Sequence, residues 1–153
     1  METFSHARSF RDLVVYQKSR AIAKEIFLLS QTFPKEELYS LTSQIRDASR
    51  SIGAQIAEGW AKRRYQRHFV SKLTDADGEQ QETQHWLGIA FDCGYVTEDQ
   101  AKRLLDKLSE IGRMLNSMIA KAESFCGDRP TTLRENASEY FVGQENPRIT
   151  GED

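Results

Sequence analysis

Apolar residues return at helical steps through most of the chain. Val15, Ile22, Ile26, Leu29 and Phe33 are spaced by 7, 4, 3 and 4, the return distances of one helical face, and predict a first helix from about Arg11 to Thr32. Pro34 ends it, because its ring clashes with the preceding turn and it has no N–H to donate. A second pattern begins near Lys35 and carries Leu38, Leu41, Ile45, Ala48, Ile52 and Ile56 at steps of 3, 4, 3, 4 and 4, weakening at Gly59. The third runs through Phe69, Leu73, Ala76, Gln80, Thr83, Leu87, Ala90 and Gly94, with two polar residues in mid-stripe. Thr97 with Gln100 reads as a capping box. Beyond it Ala101, Leu104, Leu108, Ile111, Leu115, Met118, Ala122 and Phe125 repeat at 3 and 4 without a break.

No stretch alternates apolar and polar for long enough to make a strand. The expected fold is therefore all-α, an up-down-up-down antiparallel four-helix bundle with helices roughly 30–40 Å long. Between Gly59 and Phe69 there is no proline and no Ser, Thr, Asp or Asn to cap a helix, so the second turn is expected near Arg63 to Tyr65. The division expected is a short N-terminal extension over 1–9, the bundle over 10–126, and an acidic, disordered tail over 127–153 that holds Pro130, Pro147 and the small apolar group Tyr140, Phe141 and Val142.

Composition narrows the class. With 39% hydrophobic and 29% charged residues the chain suits a folded domain. No apolar run is long enough for a membrane span, and METFSHARSF has no signal-peptide core. Two distant cysteines, Cys93 and Cys126, are read as unreactive thiols in a reducing, cytoplasmic setting. The net charge of -2 is an average: residues 128–153 hold three basic and six acidic side chains, which leaves the body slightly positive.

That positive charge concentrates at one place. From Gly59 to Thr74 stand Lys62, Arg63, Arg64, Arg67 and Lys72 with His68 and no acid, interleaved with Trp60, Tyr65 and Phe69. Five cations about one helix corner attract phosphates, and an exposed aromatic can stack on an unpaired base. The plainer reading is that the aromatics close the bundle and the cations are only solvated.

Matching heights across a turn at Arg64 brings Arg46 level with Glu82 and Arg50 level with Glu79. This predicts a structural ion pair between Arg46 and Glu82, with Arg50 near Glu79 or Glu82. Ser49, Gly53 and Ala57 form a small-residue row suited to a close helix neighbour, in this chain or in another subunit. Catalytic signals are weak. His6, His68 and His85 are scattered, and no nucleotide-binding, metalloprotease or nucleophile-elbow motif occurs. Asp75, Asp77, Glu79 and Glu82 do not have the order of a calcium loop. No catalytic residue, metal site or cofactor is expected.

Several motifs resemble those of the 23S rRNA intervening-sequence proteins. They are Phe10-Arg11-Asp12-Leu13 with Val15-Tyr16-Gln17-Lys18, Phe33-Pro34-Lys35-Glu36-Glu37-Leu38-Tyr39, Leu41-Thr42-Ser43-Gln44-Ile45-Arg46, and Ser51 to Gly59. Ala76, Gly78, Glu82, Leu87, Ala90, Gly94 and Tyr95 continue the likeness, which covers about residues 8–125. Gly53, Gln55 and Glu79 stand where that family usually has Pro, Asn and Ser. The resemblance implies the same bundle, a ring-like homopentamer, no enzymatic activity, and kinship with accessory proteins of diversity-generating retroelements, which bind nucleic acid and a reverse transcriptase through a basic surface. The function expected is a non-enzymatic, oligomeric bundle that binds RNA or a ribonucleoprotein, without sequence specificity, through the basic corner. The alternative is an adaptor whose ring or tail docks a protein partner while nucleic acid is incidental.

Overall fold

The computed structural model describes residues 7–126. The expected tail over 127–153 lies outside the described residues, as does most of the N-terminal extension. Four long helices form the body: α1 (Val14–Ser30), α2 (Leu41–Ala61), α3 (Gln66–Asp92) and α4 (Glu98–Ala120), followed by a short α5 (Ala122–Cys126). α1 packs on α2 and α4, α3 packs on α2 and α4, and the diagonal pairs meet only through the shared core, so the four axes form a square in the expected up-down-up-down order.

The apolar stripes turn inward as their spacing requires. Ile22, Ile26, Ile45, Ile52, Ile56, Leu73, Leu87, Leu104, Leu108, Ile111 and Leu115 are all essentially sealed from solvent. The two polar residues of the third stripe are buried with partners. Thr83 Oγ1 donates to the Glu79 carbonyl at 2.8 Å, and Gln80 Nε2 donates to Asp77 Oδ1 at 2.9 Å while its Oε1 accepts from Gln84 Nε2 at 2.7 Å. Gly112 of α4 makes this possible, since a Cβ there would lie 2.7 Å from Gln80 Nε2.

Connections follow local chemistry. α3 ends at Gly94, whose φ of 76° suits a residue without a Cβ; Tyr95 N donates to the Ala90 carbonyl and Gly94 N to the Phe91 carbonyl, both at 2.9 Å. Thr97 and Gln100 exchange capping hydrogen bonds at 3.1 and 2.9 Å. The start of α2 departs from the expectation at Lys35. Lys35–Glu37 is a single 3-10 turn and the helix begins only at Leu41, because the Glu37 carboxylate serves as its cap, accepting from Leu41 N at 3.2 Å and Ser40 Oγ at 3.0 Å. Leu38, expected in the stripe, is consequently 45% exposed. The small-residue row finds its neighbour within the chain: a Cβ on Gly53 would stand 3.1 Å from Ser19 Oγ and 3.5 Å from Tyr16 Cε2 of α1.

Candidate nucleic-acid interface

The turn between α2 and α3 lies where the sequence placed it. Lys62 is the C-cap of α2 and Tyr65 the N-cap of α3, joined by a hydrogen bond from Tyr65 N to the Lys62 carbonyl at 3.0 Å. Lys62, Arg64, Arg67 and His68 are exposed, and so is Tyr65, at 57%. Arg63 is half-buried, with its guanidinium carbon 3.5 Å from the centre of the Trp60 ring and Nε donating to the Trp60 carbonyl at 2.9 Å. Arg64 reaches 5.8 Å from the Tyr65 ring centre, and Tyr65 in turn lies 5.4 Å from His68. The corner therefore offers an exposed aromatic among three exposed cations, a composition suited to phosphates and unpaired bases.

Two residues of the segment belong elsewhere. Phe69 is core, 1% exposed and stacked on Phe125 of α5 at 5.7 Å between ring centres. Lys72 faces back onto α2: its Nζ lies 2.9 Å from Glu58 Oε2, 4.0 Å from Asp75 Oδ2 and 3.4 Å from Gln55 Oε1. The bond to Lys72 holds the Glu58 carboxyl below its ordinary value, and the same bond raises the Lys72 ammonium. The corner is acid-free in sequence but not in space, and Lys72 has the least charge to offer a phosphate. Trp60 and Arg63 also border a 620 Å³ cavity at this end of the bundle, lined on the far side by Leu13, Met118 and Phe125.

The expected ion pair between Arg46 and Glu82 is not formed. Arg46 Nε donates to Ser30 Oγ of α1 at 2.7 Å, and the guanidinium carbons of Arg46 and Arg50 stand 4.8 and 5.6 Å from the ring centre of Phe27, also on α1. Glu82 accepts from Trp86 Nε1 at 3.2 Å, while partial burial, with Glu82 beside it, raises the Glu79 carboxyl above its ordinary value. Azimuth decided the outcome. Each residue advances about 100° around a helix. Gly53 marks the side of α2 that meets α1, where Arg46 and Arg50 reach Phe27; Gln55 and Glu58 mark the opposite side, which meets α3.

Other chemistry is sparse among the described residues. No three His, Cys, Asp or Glu side chains are grouped to hold a metal ion, Cys93 is exposed and Cys126 half-buried with neither in a disulfide, and no helix is long and apolar enough to cross a membrane.

Comparison with known proteins agrees with this architecture. The family model described as 23S rRNA-intervening sequence protein matches residues 11–117. This chain belongs to that family. Its matched span runs from the 3-10 turn before α1 almost to the end of α4, so it takes in the basic corner and all four long helices, and stops short of α5. Among solved structures six chains match. One is a protein of unknown function from the S23 ribosomal protein family of Bacteroides thetaiotaomicron, 30% identical, with a TM-score of 0.65 over 70% of this chain and 96% of that one. No curated protein matches.

Proposed function

We propose that this protein is a non-enzymatic, cytoplasmic, oligomeric bundle that binds structured RNA, or the RNA of a ribonucleoprotein, through the corner between α2 and α3. The observation that carries the reading is the exposed cluster of Lys62, Arg64 and Arg67 around the 57%-accessible Tyr65, with Arg63 stacked at its base. Phosphate contacts by such groups position an RNA without reading its sequence, and Tyr65 supplies a stacking face for an unpaired base. Lys62, Arg63, Arg64 and Arg67 carry the binding, and Lys72 contributes less because Glu58 already holds it. Membership of the family supports the RNA connection. The homopentamer, and service to a reverse transcriptase, are the narrower forms of this reading that the family resemblance suggests. In a ring, five weak corners would act together and gain by avidity.

A filter-binding titration tests it. The parent should bind a structured RNA with an affinity that falls steeply with salt, and Arg63→Ala/Arg64→Ala/Arg67→Ala should lose most of that affinity. Equal binding by the triple variant would refute the corner. Native mass measurement checks the pentamer. A truncation before Asp128 checks the adaptor alternative, which requires a copurifying protein to be lost while RNA binding persists.

A further inference from the structure

A second set of ring-backed cations lies along the seam between α1 and α2. Arg46 and Arg50 lie over Phe27 at 4.8 and 5.6 Å, Arg20 over Tyr16 at 5.9 Å and Arg11 over Phe10 at 4.5 Å. Phe10 meets Tyr16 edge-on at 4.9 Å, and Tyr16 lies against Gly53, so the aromatic backing continues from one helix to the other. No described carboxylate comes within ion-pair distance of Arg11, Arg20, Arg46 or Arg50. In the middle of the seam Ser19, Arg20, Ala23, Arg50 and Gly53 line a 220 Å³ hollow, with an arginine on each wall and small residues between them.

From this geometry we infer that the α1–α2 seam is a phosphate-binding groove for a nucleic-acid strand. One backbone phosphate sits between Arg20 and Arg50, and Arg46 and Arg11 take phosphates to either side. This rests on the proposed RNA-binding function and extends it from the corner to a continuous strip. The chemistry favours phosphate in three ways. A guanidinium with its face on a ring keeps its N–H edge for two parallel hydrogen bonds, the fork that matches phosphate oxygens. Stacking restricts the side chain beforehand, so less freedom is lost on binding. Among the described residues no carboxylate has to be displaced from Arg11, Arg20 or Arg50, and Arg46, whose Nε is held by Ser30, offers its remaining N–H groups. Gly53 keeps the floor open, since any side chain there would grow toward Ser19 and Tyr16.

The test compares four proteins on one RNA hairpin, measured by filter binding from 50 to 300 mM salt: the parent, Arg20→Gln/Arg50→Gln, the corner variant Arg63→Gln/Arg64→Gln/Arg67→Gln, and Arg103→Gln/Lys107→Gln. The last loses two positive charges on the opposite side of α1 and controls for bulk charge. The seam variant should bind about tenfold more weakly at low salt and lower the salt slope by about 2, one for each arginine that no longer grips a phosphate. Arg103→Gln/Lys107→Gln should stay within about twofold of the parent, as exposed charges remote from the bound strand are screened. Arg20→Lys/Arg50→Lys should keep most of the slope and still bind more weakly, because lysine retains the charge without the fork. If the corner variant loses binding while the seam variant keeps both affinity and slope, the corner stands and the groove falls. If the seam variant loses binding and the corner variant does not, the groove stands and the corner falls; no binding by the parent overturns both. Native mass is measured on every variant. A seam variant that dissociates into monomers would assign the arginines to carboxylates of a second copy and overturn the groove.

Discussion

Two hollows of nearly equal size flank α1, and their charges are handled in opposite ways. The one toward α4, 210 Å³, is bordered by Lys18, Glu25, Lys107 and Glu110. There Lys18 pairs with Glu110 at 2.8 Å, and Glu25 takes both Lys107 at 3.0 Å and Arg103 at 3.2 Å. The one toward α2, 220 Å³, has Arg20 and Arg50 on its walls and no acid, and its cations lie on Tyr16 and Phe27. Pairing leaves the first seam close to neutral and stabilises the docking of α1 on α4 by modest, salt-sensitive amounts. Stacking on rings holds the second seam's cations in place, and no described carboxylate pairs with them. In one helix, therefore, charge is spent on the fold along one edge and kept available along the other.

Substitutions that disturb one seam at a time can break or sharpen this contrast. The largest effect is expected from Gly53→Leu, which drives a branched side chain into Ser19 and Tyr16 and should destabilise by about 1–3 kcal/mol in urea unfolding. A near-neutral result would mean that the α1–α2 packing is looser than its distances indicate. Next comes Phe27→Ala. Removing the ring beneath the half-buried Arg46 and the exposed Arg50, each interaction worth about 0.5–1 kcal/mol, should cost about 1–2 kcal/mol with little dependence on salt. Glu25→Gln removes two of the other seam's three pairs, leaving Lys18–Glu110, and should cost about 0.5–1 kcal/mol in dilute buffer, fading in 1 M salt. Should Glu25→Gln cost more than Phe27→Ala, the contrast between the seams would be reversed.

The smallest effect concerns pH and lies on α3. Burial, with Glu82 close by, raises the Glu79 carboxyl in the folded state, so folding favours its protonated form. Its stabilising contribution is complete below the ordinary glutamate value of about 4.3 and is lost as pH rises through the raised folded value. Glu79→Gln should therefore melt slightly above the parent at pH 7 and level with it near pH 4. A variant melting below the parent at pH 7 would show that the ionised carboxylate has a favourable partner after all.

Much of the bundle was legible in the residues. The unbroken stripe from Ala101 to Leu115 and the Thr97–Gln100 box marked α4 because both signals are local, contained within a turn or two of backbone. Leu38 misled for the complementary reason. Its spacing fits the stripe, but Glu37 at its side is a better cap than a helical residue, and the cap set the boundary. The corner's position was readable as well, whereas the capture of Lys72 by Glu58 was not, since that pair joins two helices across a turn. The arginine seam left only a faint trace: Arg46 and Arg50 stand one helical turn apart, but Phe27, the ring that receives both, lies on another helix.

By itself the sequence determined the four long helices, their inward faces, the N-terminal capping box of α4 and the end of α1 a few residues before Pro34, because spacing, capping and proline sterics act over a few neighbouring residues; it did not mark the break at Lys121 that sets off α5. Which seam each charge faces was decided only by tertiary structure. A helical position fixes height and azimuth on its own axis, but whether that azimuth meets Phe27, Glu82 or solvent depends on which helix packs beside it, and that is settled by how four apolar stripes close on one core.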